Sequence, residues 1–233
     1  MKVNVTYDIS KDEENYNYSL VDKAYPSYGR DKMNILTPFA SELQIKLDST
    51  LNSEMKNKII KDYIKNTYLK HPLLKLSTDT LSKSWGSISD AYIDKLYKYF
   101  QIEDSGALPV TCYLTTLGLC PYNRKQRYFY VPFYASIADQ IHVIMHELMH
   151  IVFLDNYEQY LLGQGVSEQG ILDINESLIV LLNLEFKEFL LVKAVNKKPS
   201  TYDLQDIVKE EYEKSTPFKT ILQKLIASRL PRS

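Results

Sequence analysis

The stretch ASIADQIHVIMHELMHIVFLDN, Ala135 to Asn156, carries three of the four histidines of this 233-residue chain within nine positions. Its apolar residues recur at helical spacing. Ser136, with Asp139 three positions on, forms a capping box that opens a helix. The helix is expected to end near Asp155. Imidazoles on so apolar a helix need a reason, because burying several polar groups without partners costs several kcal/mol.

The reason lies in HELMH, His146 to His150, an HExxH pattern. Positions four apart on a helix sit one turn along and about 40° round, so His146 and His150 can reach one point. Two neutral imidazoles there suit Zn–N bonds of about 2.0 Å. Glu147 lies about 100° away, poorly placed to join the same ligand set and well placed to contact a water held by the metal. His142, one turn earlier, reads first as a partly exposed helix residue.

A catalytic zinc takes a third protein ligand. Glu176, in DINESLIVLLN, is a carboxylate in a strongly apolar segment 26 residues after His150, with a glycine-containing loop between to turn the chain back. A metal bond would relieve the cost of burying it. Asp173, one turn earlier, is its chief rival as a ligand, followed by Asp155 and Glu158. The plainer alternative is a Glu176 exposed on an amphipathic face.

Apolar residues make up 45% of the chain and charged residues 24%, and 28 basic against 29 acidic side chains give a net charge of -1. That balance argues against nucleic acid or an anionic membrane as the main partner. The first residues lack the apolar core of a secretion signal, and no window approaches the roughly 20 apolar residues of a membrane span. Two cysteines, Cys112 and Cys120, do not make a disulfide scaffold, and the cytoplasm is the expected compartment. The nineteen tyrosines are expected mostly as amphipathic packing at the edge of the core.

Lys2 to Ile9 alternates as a strand, followed by a loop through Pro26 and Gly29. Helical spacing covers Thr37 to Leu69, with Pro38 at a first helical position and Pro72 interrupting. A shorter segment leads to Gly86, after which Ser87 and Asp90 are expected to cap a helix to Phe100. ALPVTCYLTTLG and QRYFYVPFYA are β-branched and aromatic, and are expected to form a hairpin with Pro132 placing the second strand at a sheet edge. After the histidine helix, a loop with Gly163, Gly165 and Gly170 leads to one long helix, Ile171 to Val195. Two more helices follow, one capped at Ser200 with Asp203 and one after Pro217.

HExxH on one helix with a glutamate in an Asn-Glu pair on the next resembles the gluzincins, the thermolysin-like zinc metallopeptidases. The resemblance covers about Pro109 to Leu191. It implies His146, His150 and Glu176 as ligands of one Zn2+ ion and Glu147 as general base and acid. It also implies an edge strand, QRYFYVPFY or VTCYLTTLG, that binds extended peptide by strand addition. The metzincin continuation is excluded, because Phe153 and Asn156 stand where Gly and His belong. Val180 stands where many gluzincins have an aspartate orienting a histidine ligand, so Asn175, Asp173 or Asn183 would take that part. The Gly-x-Met-Glu-Asn strand of the aminopeptidase branch is absent. Candidates for oxyanion stabilisation are His142, Tyr157, Tyr160 and Tyr202. Peptide deformylases pair HExxH with an upstream cysteine, but their flanking motifs are missing and Glu176 would be left unexplained.

The expectation is therefore an α+β fold, mainly α, in which an edge strand packs against the HExxH helix and a glutamate-bearing helix follows. Residues 1–233 form one domain, with 1–105 a mainly helical N-terminal part and 106–233 the metallopeptidase-like core. The expected activity is zinc-dependent hydrolysis of a peptide or protein substrate. The alternative is a non-catalytic structural zinc protein mediating protein–protein interaction.

Overall fold

A computed structural model describes residues 1–21, 41–103, 108–193 and 199–230. The expected loop through Pro26 and Gly29 and the helix start at Pro38 lie outside these residues. The chain is mainly helical with one small mixed sheet, the α+β class read from the sequence. It folds as two compact units whose segments interleave: Met1–Gly86 with Leu108–Gln140, and Ser87–Ala107 with Ile141–Ser233.

The first unit holds the sheet. Strands β1 (Val3–Thr6), β2 (Val110–Thr115), β3 (Tyr122–Asn123) and β4 (Tyr128–Pro132) lie in the order β1-β2-β4-β3. β2 pairs parallel to both β1 and β4, with Cys112 opposite Val5 and Phe129, and only β3 runs antiparallel to β4. The expected hairpin is thus replaced by a crossover. The twelve residues between β2 and β4 are long enough to carry the chain back, and they leave β3 on the outer side of β4. β2 is interior, so of the two strands proposed to accept peptide it has no open side. β4 is covered by β3 along Tyr128 and Phe129. Interior placement accounts for the near-continuous β-branched and aromatic character of VTCYLT.

Helix α1 (Ile9–Tyr16) is capped by Asp8, whose carboxylate accepts from the Ser10 and Lys11 amides at 2.8 and 3.4 Å. It runs into a π-helical turn, Asn17–Val21. Asp12, fully buried, latches α1 to the end of β2. It accepts from Thr115 Oγ1 at 2.7 Å, Thr116 N at 3.0 Å and Thr116 Oγ1 at 2.8 Å. Burial raises its pKa against the lowering effect of these bonds. Helices α2 (Ser41–Asp48) and α3 (Ser53–Thr67) bring Leu43, Leu47, Ile60 and Ile64 together with Tyr16, Leu117 and Leu119 in one apolar cluster. Pro72 opens helix α4 (Pro72–Gly86) rather than merely interrupting, as its fixed φ and missing N–H favour a first helical position.

The second unit is helical. α5 (Ser89–Phe100) begins two residues after the expected cap; its N-cap is Ile88, with no side-chain bond. α6 (Ile137–Gly163) opens as expected, Ser136 Oγ accepting from the Asp139 amide at 3.1 Å and donating to its carboxylate at 2.7 Å. It then runs two turns past Asp155, because Phe153 and Tyr157 pack on Phe100 and Phe218, with Phe100 and Phe218 ring centres 4.7 Å apart. By length and composition α6 could cross a membrane, but 67% of its apolar window is buried among the chain's own residues.

The expected long helix is broken. α7 (Glu168–Ser177) is followed by a 3-10 turn, Leu178–Val180, then α8 (Leu181–Leu184) and a second 3-10 turn, Lys187–Phe189. Leu178, Ile179, Leu181, Leu182 and Phe186 are all buried, so apolar residues point inward all round and packing, rather than one amphipathic face, decides the backbone. α9 (Tyr202–Glu213) starts after a 3-10 turn, Pro199–Thr201, without the expected Ser200 side-chain cap, and α10 (Phe218–Arg229) follows Pro217 as expected.

Candidate metal centre

All the site residues lie in the second unit, on α6 and α7. What joins the two helices is local chemistry. Val166 N donates to Leu161 O at 3.1 Å and Gly165 N to Leu162 O at 3.0 Å, the paired bonds of a Schellman stop. Gly165 has φ +83°, a region that L side chains avoid, and Val166 and Leu161 are both buried, supplying the motif's apolar contact. Ser167 then caps α7, accepting from the Gly170 amide at 3.1 Å. A β-carbon on Gly170 would lie 2.9 Å from Val166 Cγ1, so a glycine there permits the close turn. The glycines of this segment are therefore parts of a helix stop and a helix start, not of an extended loop.

This turn brings Glu176 back to the histidines. His150 Nε2 lies 2.9 Å from His146 Nε2 and 3.6 Å from Glu176 Oε1. One ligand atom from each of the three residues lies within 4.8 Å of the others. Two donors on a tetrahedral zinc, each at about 2.0–2.1 Å, are about 3.3 Å apart, between the two observed separations. Two imidazoles and a carboxylate are also a donor set that zinc accepts. The residues fit the ion. The His146 and His150 rings stand at 90° with centroids 4.5 Å apart.

The electrostatics of the site carry the same stamp. Burial, reinforced by His150 and then His142, holds His146 well below the ordinary histidine range, so it is neutral, as a ligand must be. Burial, and after it the Glu176 charge, pushes Glu147 well above the ordinary carboxylate range. Glu147 is 7% exposed, and its Oε2 is buried with no hydrogen-bond partner among the described residues. A buried carboxylate oxygen of this kind is costly unless something polar comes to it. Tyr92, on α5, donates to the Met145 carbonyl at 2.8 Å and tethers the backbone just before the motif.

The rival ligands are placed elsewhere. Asp173 accepts from Gln169 Nε2 at 2.9 Å and faces Arg229 Nε at 3.7 Å. Asp155 is exposed and Glu158 half-buried, and neither belongs to the three-residue group. Glu176 itself is half-buried, its side chain 23% exposed, rather than standing free on an amphipathic face. Asn175 is buried with its Oδ1 unpartnered among the described residues. His142 stacks edge-on to His146 at 6.1 Å, extending the histidine row by one turn. Of the tyrosines considered for the oxyanion, Tyr157 donates to the Phe100 carbonyl, while Tyr160 and Tyr202 are 45% and 47% exposed. Cys112 is buried in β2, in the other unit, and neither cysteine joins the metal-ligand group. Tyr92 was not singled out from sequence, and Gly163, Gly165 and Gly170 were read as a loop that turns the chain back, without the helix stop and helix cap that form it. The signals were there in LLGQGVSEQG, where a glycine follows the apolar run and a serine stands three residues before another glycine. No known protein family's sequence model matches this chain, and no curated protein or solved structure matches it either.

Proposed function

We propose that the chain is a zinc-dependent peptide-bond hydrolase of the gluzincin kind. The observation that carries the proposal is a buried Glu147 carboxylate, its Oε2 without a hydrogen-bond partner among the described residues, beside a group of three candidate ligands, His146, His150 and Glu176. Three protein donors are the pattern of a catalytic zinc, which keeps one position for water or substrate, whereas structural zinc takes four. Zinc bound there would supply Lewis acidity and a water whose pKa falls to about 7. Glu147 then takes a proton at its carboxylate and delivers it to the leaving amine, and its raised pKa suits a group that must hold that proton between the two steps. His146, kept neutral by burial, would bind through a lone pair beside His150, outside the proton traffic. The proposal extends to peptide or protein as the substrate class and to the cytoplasm as the compartment, the latter supported by two cysteines in 233 residues.

Cleavage of a mixed peptide library, measured beside zinc content, tests the reading. Wild type and Glu147→Gln are expected to bind equal zinc, and only the wild type is expected to cleave. Equal zinc with cleavage by neither would favour a structural zinc site serving protein–protein interaction.

A further inference from the structure

In the first unit, far along the chain from the metal ligands, α1, the π-helical turn, β3 and β4 enclose a pocket of about 140 Å³. At about 30 Å³ per water this is room for four or five small heavy-atom groups, and below the 300–1,000 Å³ of sites that hold a whole drug-sized molecule. Among the described residues its wall contains Tyr18, Tyr122, Tyr128, Tyr130 and Glu14, and no lysine or arginine. Tyr128 and Tyr130 stand at 76° with ring centroids 5.5 Å apart, making a corner of two walls. Their hydroxyls are already engaged: Tyr128 donates to Glu14 Oε1, and Tyr130 to the Lys11 carbonyl at 2.9 Å. The rings, more than the hydroxyls, are thus what these two tyrosines offer a ligand. A tyrosine that donates to a carboxylate gains electron density in its ring, which strengthens its attraction for a cation.

The chain itself shows that attraction at work. Lys11 Nζ sits 4.3 Å from the Tyr128 ring centroid and 2.7 Å from Glu14 Oε2. Lys11 and Glu14 are both solvent-accessible, at 25% and 46%, so the pair can part at small cost. We infer that this tyrosine-walled pocket binds an organic cation, an alkylated or quaternary ammonium group, with Lys11 as the internal competitor for its ring and carboxylate. Tyrosine rings attract such cations through their quadrupoles, and a ligand whose charge is spread over methyl groups loses less hydration on entry than an ammonium does.

Titration of the full-length protein with tetramethylammonium chloride, followed by amide NMR shifts against a sodium chloride control, tests this. Saturable shifts confined to α1, β3 and β4 are expected in the millimolar range, with none from tert-butanol, the uncharged analogue. Tyr18→Ala and Tyr122→Ala, both at accessible positions, should each weaken binding by about three- to tenfold. Glu14→Gln should weaken it too. Lys11→Gln should tighten it, a direction that a merely structural role for Lys11 does not produce. A trimethyllysine peptide bound more tightly than the free ion would identify a protein tail as the source; equal binding would identify a small molecule. Equal shifts from tert-butanol, no saturable binding by wild type and Lys11→Gln alike, or weaker binding by a folded Lys11→Gln protein would each overturn the inference.

Discussion

Replacing Gly170 by alanine sets two effects against each other. In a helix interior alanine is favoured over glycine by about 0.8–1 kcal/mol, so propensity alone predicts a more stable protein. The added methyl, however, meets Val166 Cγ1 at 2.9 Å, Ser167 Oγ at 3.3 Å and Arg229 Cβ at 3.4 Å. Val166 is buried and short, so it cannot swing aside freely, and forcing a methyl into a packed site costs about 1–3 kcal/mol. Overlap wins, for a net loss of up to about 2 kcal/mol. Gly163, at the end of α6, is the control: a β-carbon there meets nothing within 4 Å, so Gly163→Ala should be neutral or stabilising. At about 2–4 °C per kcal/mol for a chain of this length, thermal unfolding should place Gly170→Ala several degrees below Gly163→Ala. Since the overlap displaces α7, which bears Glu176, competition with a chelator should also show weaker zinc binding for Gly170→Ala alone. A Gly170→Ala protein as stable as Gly163→Ala, with unchanged zinc affinity, would refute the idea that this close turn sets the third ligand.

Zinc at 100 times its dissociation constant should stabilise the protein by about 2.7 kcal/mol, raising its melting temperature by about 5–10 °C; His146→Ala and Glu176→Ala should abolish the rise and Glu147→Gln should keep it. In the metal-free protein, Glu147 has its pKa raised in the folded state, so its proton stabilises the fold at low pH and that contribution is lost as pH climbs from the ordinary carboxylate value through the folded one. Glu147→Gln should therefore exceed the wild type in stability at pH 8 and converge with it near pH 4.5, read by urea unfolding with chelator present. His146 works in the opposite sense: its lowered pKa means stability is lost as pH falls below about 6.5, so a metal-free His146→Gln protein should lose less on acidification than the wild type. Asp12→Ala strands Thr116 N and two threonine hydroxyls inside the first unit and should cost about 2–3 kcal/mol, seen as faster amide exchange in β2.

The parts of this protein that were readable in its sequence are those governed by neighbours within a turn or two. The 3.6-residue period places His146 and His150 on one face whatever surrounds them, and the Ser136–Asp139 box closes on itself. Glu176 was nominated because a carboxylate in so apolar a segment is costly, but that reasoning could not rank it securely above Asp173. The tertiary structure sets them apart: Glu176 lies beside the histidines, while Asp173 is engaged by Arg229 from α10 and by Gln169 from one turn back on α7. Strand partners, and the break-up of residues 178–189 into short turns, likewise depended on contacts remote in sequence. A strand's own residues say that it is buried but not which edge it meets, so β2 and β4 read as a hairpin when they are parallel. Local hydrogen bonding and side-chain periodicity are written along the chain; pairing register and ligand convergence belong to free-energy differences between whole packings, which no single segment encodes.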